Sequence, residues 1–185
     1  MITNGVLNFG NNAITWDPSK MGAAVTLSSD KLTASVTAFL DMCLATVGKS
    51  TGKWYWEVLL QSGSNGFSVG IAQAQTNYNT TLGTPATGWS YTTFFTGSYK
   101  QNSGTAPPYG TAAAVGDTIG VALDMISNQI TIYRNNVSLG VMFTGLYGTI
   151  YPAIGSYLYP ASYVAKFDAA SFIYTPPAGF IALTP

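Results

Sequence analysis

Val115–Leu146 reads VGDTIGVALDMISNQITIYRNNVSLGVMFTGL, and its period decides the fold. Ile119, Val121, Leu123 and Met125 occupy every second position, the spacing that puts side chains on one face of a strand. ISNQ (126–129) then turns the chain, and ITIYRNN (130–136) returns it, with Ile130, Ile132 and Arg134 on one face and Thr131 and Tyr133 on the other. Asn135-Asn136 supplies a second turn, because asparagine tolerates positive φ. Hardly any residue here could do chemistry, so the stretch reads as scaffold.

The same pattern continues outward. KWYWEVLLQ (53–61) sets Trp54, Trp56 and Val58 on one face and Tyr55, Glu57 and Leu59 on the other. GFSVGIAQ (66–73) follows across SGSNG (62–66), whose Asn65-Gly66 predicts a tight hairpin. No window has a 3.6-residue period, and Gly, Pro, Asn and Thr breaks recur at short spacing. Many short strands with regular turns predict an all-β antiparallel sandwich or barrel. Two stretches interrupt the rhythm, TNYNTTLGTPATG (76–88) and QNSGTAPPYGTAAAVG (101–116). Long polar loops on a rigid scaffold are more often functional than incidental.

Composition narrows the function. Of 185 residues, 47% are apolar and only 8% charged, against roughly 25% charged in an average soluble domain. Seven basic and seven acidic residues cancel, which removes long-range steering toward polyanions or anionic membranes. Without a basic groove, base stacking by aromatics has no electrostatic support, so no nucleic acid is expected as partner. No run reaches the length of a membrane span and no signal peptide opens the chain, so a soluble product without membrane insertion is expected. Histidine is absent and Cys43, within FLDMCLATV (39–47), is the lone cysteine and reads as a small buried hydrophobe. Serine and Cys43 therefore lack a general base, zinc lacks ligands, and no phosphate loop or calcium loop occurs. Asp117 and Asp124 stand at turns, where a carboxylate serves backbone hydrogen bonding. No enzyme activity, metal or cofactor is expected.

The ordered set GKWYWEV, FSVGIA, GWSY, VGDTIGVALDM…ITIYRNNVSLGVMFTGL and YPAIG resembles the SPRY domain, the core of B30.2, over about residues 13–183. WDPSKMGAAVTLSSDKLTAS looks like that family's lead-in strands and FIYTPPAGFIAL like its closing strand and tail. Two departures stand out: Asn135-Asn136 replaces the usual Asn-Gly, and KFDAA (166–170) replaces an Asn-Phe-Gly. The resemblance implies a bent antiparallel β-sandwich of two sheets, of concanavalin-like jelly-roll type, formed by residues 13–185, with residues 1–12 as an N-terminal arm. It also implies a non-enzymatic module that binds proteins or peptides through loops at one end. By position, Tyr99 and the segment Gly155–Tyr159 resemble the pocket of the peptide-binding members, with the loop Tyr78–Trp89 as a further wall. The usual Trp-Gly of the second segment is missing, so the family's peptide specificity does not carry over.

Trp54, Trp56, Phe67, Ile119, Val121 and Leu123 are expected in the core. Tyr78, Trp89, Tyr99, Tyr109, Tyr157 and Tyr159 fall in or near loops and are the candidate ligand contacts, since these rings give contact area at low entropic cost; Trp89 and Tyr91 also read as strand residues facing the core. The low charge and Thr/Asn/Gly/Tyr surface resemble the SPRY proteins of bacteriophages. That likeness predicts a virion localisation, with other virion subunits as partners in a capsid-decoration or accessory tail role and a homo-oligomer among the possible assemblies. A tail protein binding a host surface receptor, protein or glycan, and a cytosolic peptide-binding adaptor are the alternatives.

Overall fold

The computed structural model describes residues 13–37, 40–64, 66–94, 96–157 and 160–185. Two sheets face each other. The first has six strands, in the order β1 (Trp16–Met21), β4 (Met42–Ala45), β12 (Tyr151–Ser156), β6 (Phe67–Ala72), β7 (Gly88–Phe94), β8 (Gly97–Gln101). The second runs β11 (Val137–Thr144), β10 (Gln129–Arg134), β9 (Thr118–Asp124), β5 (Lys53–Gly63), β13 (Ala161–Lys166), β3 (Thr33–Val36), β2 (Val25–Leu27). β14 (Ile181–Ala182) adds to β5 in parallel, and every other pairing is antiparallel. Apart from one 3-10 turn at Ala169–Ser171, no helix occurs among the described residues.

Alternation builds the core. Trp56, Val58 and Leu60 of β5, with Ile119, Val121 and Leu123 of β9, meet Phe67, Val69 and Ile71 of β6 and Trp89 and Tyr91 of β7 between the sheets. Cys43 is buried there too, and burial pushes its thiol up to about 12, which removes the reactive thiolate. The expected β9–β10–β11 meander forms as read. Asn135 and Asn136 take φ of 48° and 67°, the left-handed pair that a two-residue hairpin turn requires.

The hairpin expected between residues 61 and 67 does not form. β5 pairs with β9 and β13, whereas β6 pairs with β12 and β7 in the opposite sheet. Both strands bury an apolar face in the common core, so they oppose each other across it. Asn65, and the expected arm at residues 1–12, lie outside the described residues.

Both sheets are also covered on the outside. Residues after β13 strap the second sheet: Glu57, fully buried, accepts from Ile173 N (2.7 Å), Tyr174 N (2.9 Å) and Tyr55 Oη (3.1 Å). Phe172 packs edge-on to Tyr55 at 5.2 Å. The β6–β7 connection folds over the first sheet, where Leu82 packs with Met42, Leu44, Ala72 and Ala153. Small residues under it permit this approach: a Cβ at Gly155 would lie 3.2 Å from Leu82 Cβ.

Candidate functional site: an aromatic corner on the six-stranded sheet

Between the core positions of β6 and β7 lie Ser68, Ser90 and Thr92, which point outward. Their hydroxyls form a line, Ser68 Oγ to Thr92 Oγ1 (2.9 Å), Thr92 Oγ1 to Ser90 Oγ (2.9 Å) and Ser90 Oγ to Leu82 O (3.0 Å). A carbonyl can only accept, so each hydroxyl donates to the next in that order. Phe94, two residues beyond Thr92, continues the outward row at the end of β7. Tyr99 stands opposite Thr92 on β8.

Three half-buried rings meet there. Phe94 lies 5.5 Å from Tyr99 and 4.8 Å from Tyr157, just beyond β12. Tyr99 Oη is 3.2 Å from Thr96 Oγ1, and Tyr157 N donates to Gly66 O (3.1 Å). Ring edges, hydroxyls and peptide groups make these contacts, and no charged side chain takes part in them. Leu40 stands close by: Ser156 N donates to O of the following residue, Asp41 (3.1 Å). Leu40 is 46% exposed and has φ of 66°, a left-handed conformation that a branched apolar side chain rarely adopts. Such strain costs on the order of 1–3 kcal/mol and gathers at functional positions. Among the described residues no group of three His, Cys, Asp or Glu is placed to hold a metal ion.

A model of the SPRY domain matches residues 53–173. The chain belongs to the SPRY domain family. The fold is similar to that of solved SPRY domains: the SPRY domain of human HERC1 superposes with a TM-score of 0.70 at 17% identity, covering 82% of this chain and 96% of that one. The TRIM65 PSpry domain superposes with a TM-score of 0.68 at 16% identity, covering 82% and 90%. In sequence, Ran-binding protein 9 of Danio rerio is 32% identical over 106 residues, 56% of this chain and 18% of that protein. The E3 ubiquitin-protein ligase RKP of Arabidopsis thaliana is 36% identical over 95 residues, 51% of this chain and 7% of that protein. The SPRY domain thus corresponds to less than a fifth of these curated relatives.

The relatives overturn one expectation. They are cellular proteins of eukaryotes, which contradicts a virion localisation, and the bacteriophage origin inferred from surface composition finds no support among them. Low charge describes how a surface is solvated and carries no information about compartment.

Within the SPRY domain the six candidate contacts separate. Tyr99 and Tyr157 come together, joined by Phe94. Tyr159 lies outside the described residues. Tyr78 is on the same outer face but half-buried, packing with Met42, Leu44 and Ala72, and its hydroxyl accepts from Gln75 N (3.2 Å), so it pins the loop. Trp89 does not present a ligand-contacting ring: only 5% exposed, it faces the core because its parity on β7 is opposite to that of Phe94. Tyr109 is also elsewhere, stacked edge-on at 6.1 Å to Tyr91 and donating to Gly140 O (2.5 Å); burial raises its phenol well above the ordinary value. It closes the core between β8 and β11. Phe94 and Leu40 were not apparent as contacts. Phe94 was legible in principle, since GWSYTTF alternates aromatic and small polar residues until Phe94 breaks the pattern on the outward side.

Proposed function

We propose that this SPRY domain is a non-enzymatic binding module that receives an uncharged segment of a partner protein at the corner formed by Phe94, Tyr99 and Tyr157. The observation that carries this reading is the meeting of three half-buried rings, beside a strained and exposed leucine, on a face whose remainder is sealed by the loop 76–88. Rings left half in water are the usual energetic centre of a protein interface. Relatives named for binding Ran carry the same kind of domain, which supports a protein partner.

Selection of a displayed random-peptide library on the purified chain tests this. Peptides that bind should lose about 30-fold or more in affinity on Tyr99→Ala, the loss typical of an interface hot spot, while the variant's melting temperature stays within about 2 °C of the parent. Peptides that bind Tyr99→Ala as well as the parent would sink the proposal.

A further inference from the structure

Gln101 ends β8 two positions beyond Tyr99, so both side chains leave the sheet on its outer face; Gln101 lies opposite Ser90. It is 7% exposed, and its Oε1 has no hydrogen-bond partner. Above it the loop places Gly83 so closely that a Cβ there would come within 2.9 Å of Gln101 Cβ. Two residues earlier in the same loop, Thr81 is 1% exposed, and its Oγ1 also lacks a partner. Several neighbouring polar groups are already paired. The hydroxyl line from Ser68 ends on Leu82 O, Thr84 N donates to Thr81 O (3.0 Å), and Gly104 N donates to Gly83 O (3.3 Å). A buried amide oxygen without a donor costs folding free energy that leucine, of similar volume, would not. Two unpartnered buried oxygens, an amide and a hydroxyl, thus lie at one seam, two residues along β8 from Tyr99 of the aromatic corner.

Resting on the proposed role of that corner, we propose that Gln101 Oε1 and Thr81 Oγ1 are its specificity-determining floor, and that the bound segment donates an amide N–H to Gln101 Oε1. An amide fits both atoms, because it brings a donor for the oxygen and a carbonyl that can take the threonine proton. Entry requires Thr81–Gly83 to shift. The segment is held by Leu82, packed on Met42, Leu44, Ala72 and Ala153, by the Ser90 hydroxyl of β7 and by the Gly104–Gly83 bond from the loop after β8, so the shift draws Leu82 from that packing.

The test uses peptides selected on the parent chain and the variants Gln101→Leu and Thr81→Val. Gln101→Leu should melt at the parent temperature or above it, yet bind the selected peptides about tenfold or more weakly, as expected for a buried hydrogen bond left unmade. N-methylation along the peptide should find one position that weakens binding to the parent and leaves binding to Gln101→Leu unchanged. If Gln101→Leu binds as the parent does while Tyr99→Ala remains weak, the amide floor is overturned and the corner stands. A clear fall in the melting temperature of Gln101→Leu would assign the oxygen a structural role and overturn it as well. Peptides indifferent to Tyr99, or no enrichment at all, would overturn both proposals.

Discussion

Glu57 is a buried carboxylate at the centre of a sheet, with Lys166 opposite it on β13. Three donors bond to it: two successive backbone N–H groups of the strap and the Tyr55 hydroxyl. Charge-assisted bonds of this kind are about twice as strong as neutral ones. Glu57→Gln keeps the volume but turns one accepting atom into a donor that faces another donor. We expect that variant to lose about 1–3 kcal/mol, seen as a fall of roughly 3–10 °C in melting temperature by circular dichroism. An unchanged melting point would mean that the strap is held by its ring contacts alone. Tyr163, on the neighbouring strand β13, does comparable work on the opposite face: its hydroxyl donates to Gly155 O and accepts from Ser68 N (3.1 Å), crossing the core to bridge β12 and β6. Neither role was legible in the sequence. Alternation assigns a side chain to a face, but what meets it on that face comes from elsewhere in the chain: the strap over Glu57 lies more than a hundred positions away.

At the scale of elements, the turns around β9 depend on two aspartates. Asp117 accepts from Ala114 N (2.8 Å), Asn135 Nδ2 (2.6 Å) and Arg134 Nε (2.7 Å). Asp124 accepts from Ile126 N and Ser127 N (both 2.9 Å) and pairs with Lys53 at 3.0 Å. Burial alone would raise both pKa values, but the accepted bonds outweigh it and hold both carboxyls below the ordinary 3.8. Because the folded values are depressed, the stabilisation is fully present above the unfolded pKa and is lost as pH falls through the folded one. Melting temperature should therefore be level near neutrality and fall below about pH 4. Asp117→Asn should melt lower at pH 7 and show a shallower acid slope; an equally steep slope would place the acid-sensitive groups elsewhere. These turns were legible, since an aspartate at a strand end followed by a tight reversal has a local explanation. The 61–67 hairpin was misread because the same local signal also joins strands of opposite sheets, and only the competition among strands for the common core decides which. The aromatic corner was half legible. Tyr99 and Tyr157 followed from a family likeness, but Trp89 and Phe94 could be told apart only by their parity on β7.

Over the whole molecule, three of the seven basic side chains form ion pairs, and contacts with rings involve more. Four of the seven basic side chains lie over rings: Lys49 on Trp54 (4.3 Å), Lys20 on Tyr151 (4.8 Å), Lys100 on Phe143 (5.4 Å) and Lys53 on Phe180 (5.6 Å). Their stems cover apolar surface that a charge-poor chain would otherwise leave in water. Stability should consequently respond little to ionic strength. Between about 20 and 500 mM sodium chloride at pH 7 we expect the melting temperature to move by less than roughly 2 °C; a larger fall would give the three ion pairs more weight than their exposure suggests. The strand order has a further consequence for biosynthesis. β5 stands at the centre of its sheet, yet its neighbours are β9, β13 and β14, the last near residue 182. A ribosome adding about 5–20 residues per second takes on the order of ten seconds to travel from β5 to β14. The nascent chain therefore carries Trp54–Leu60 with no strand beside it until β9 is made, and with one edge open until β13 follows.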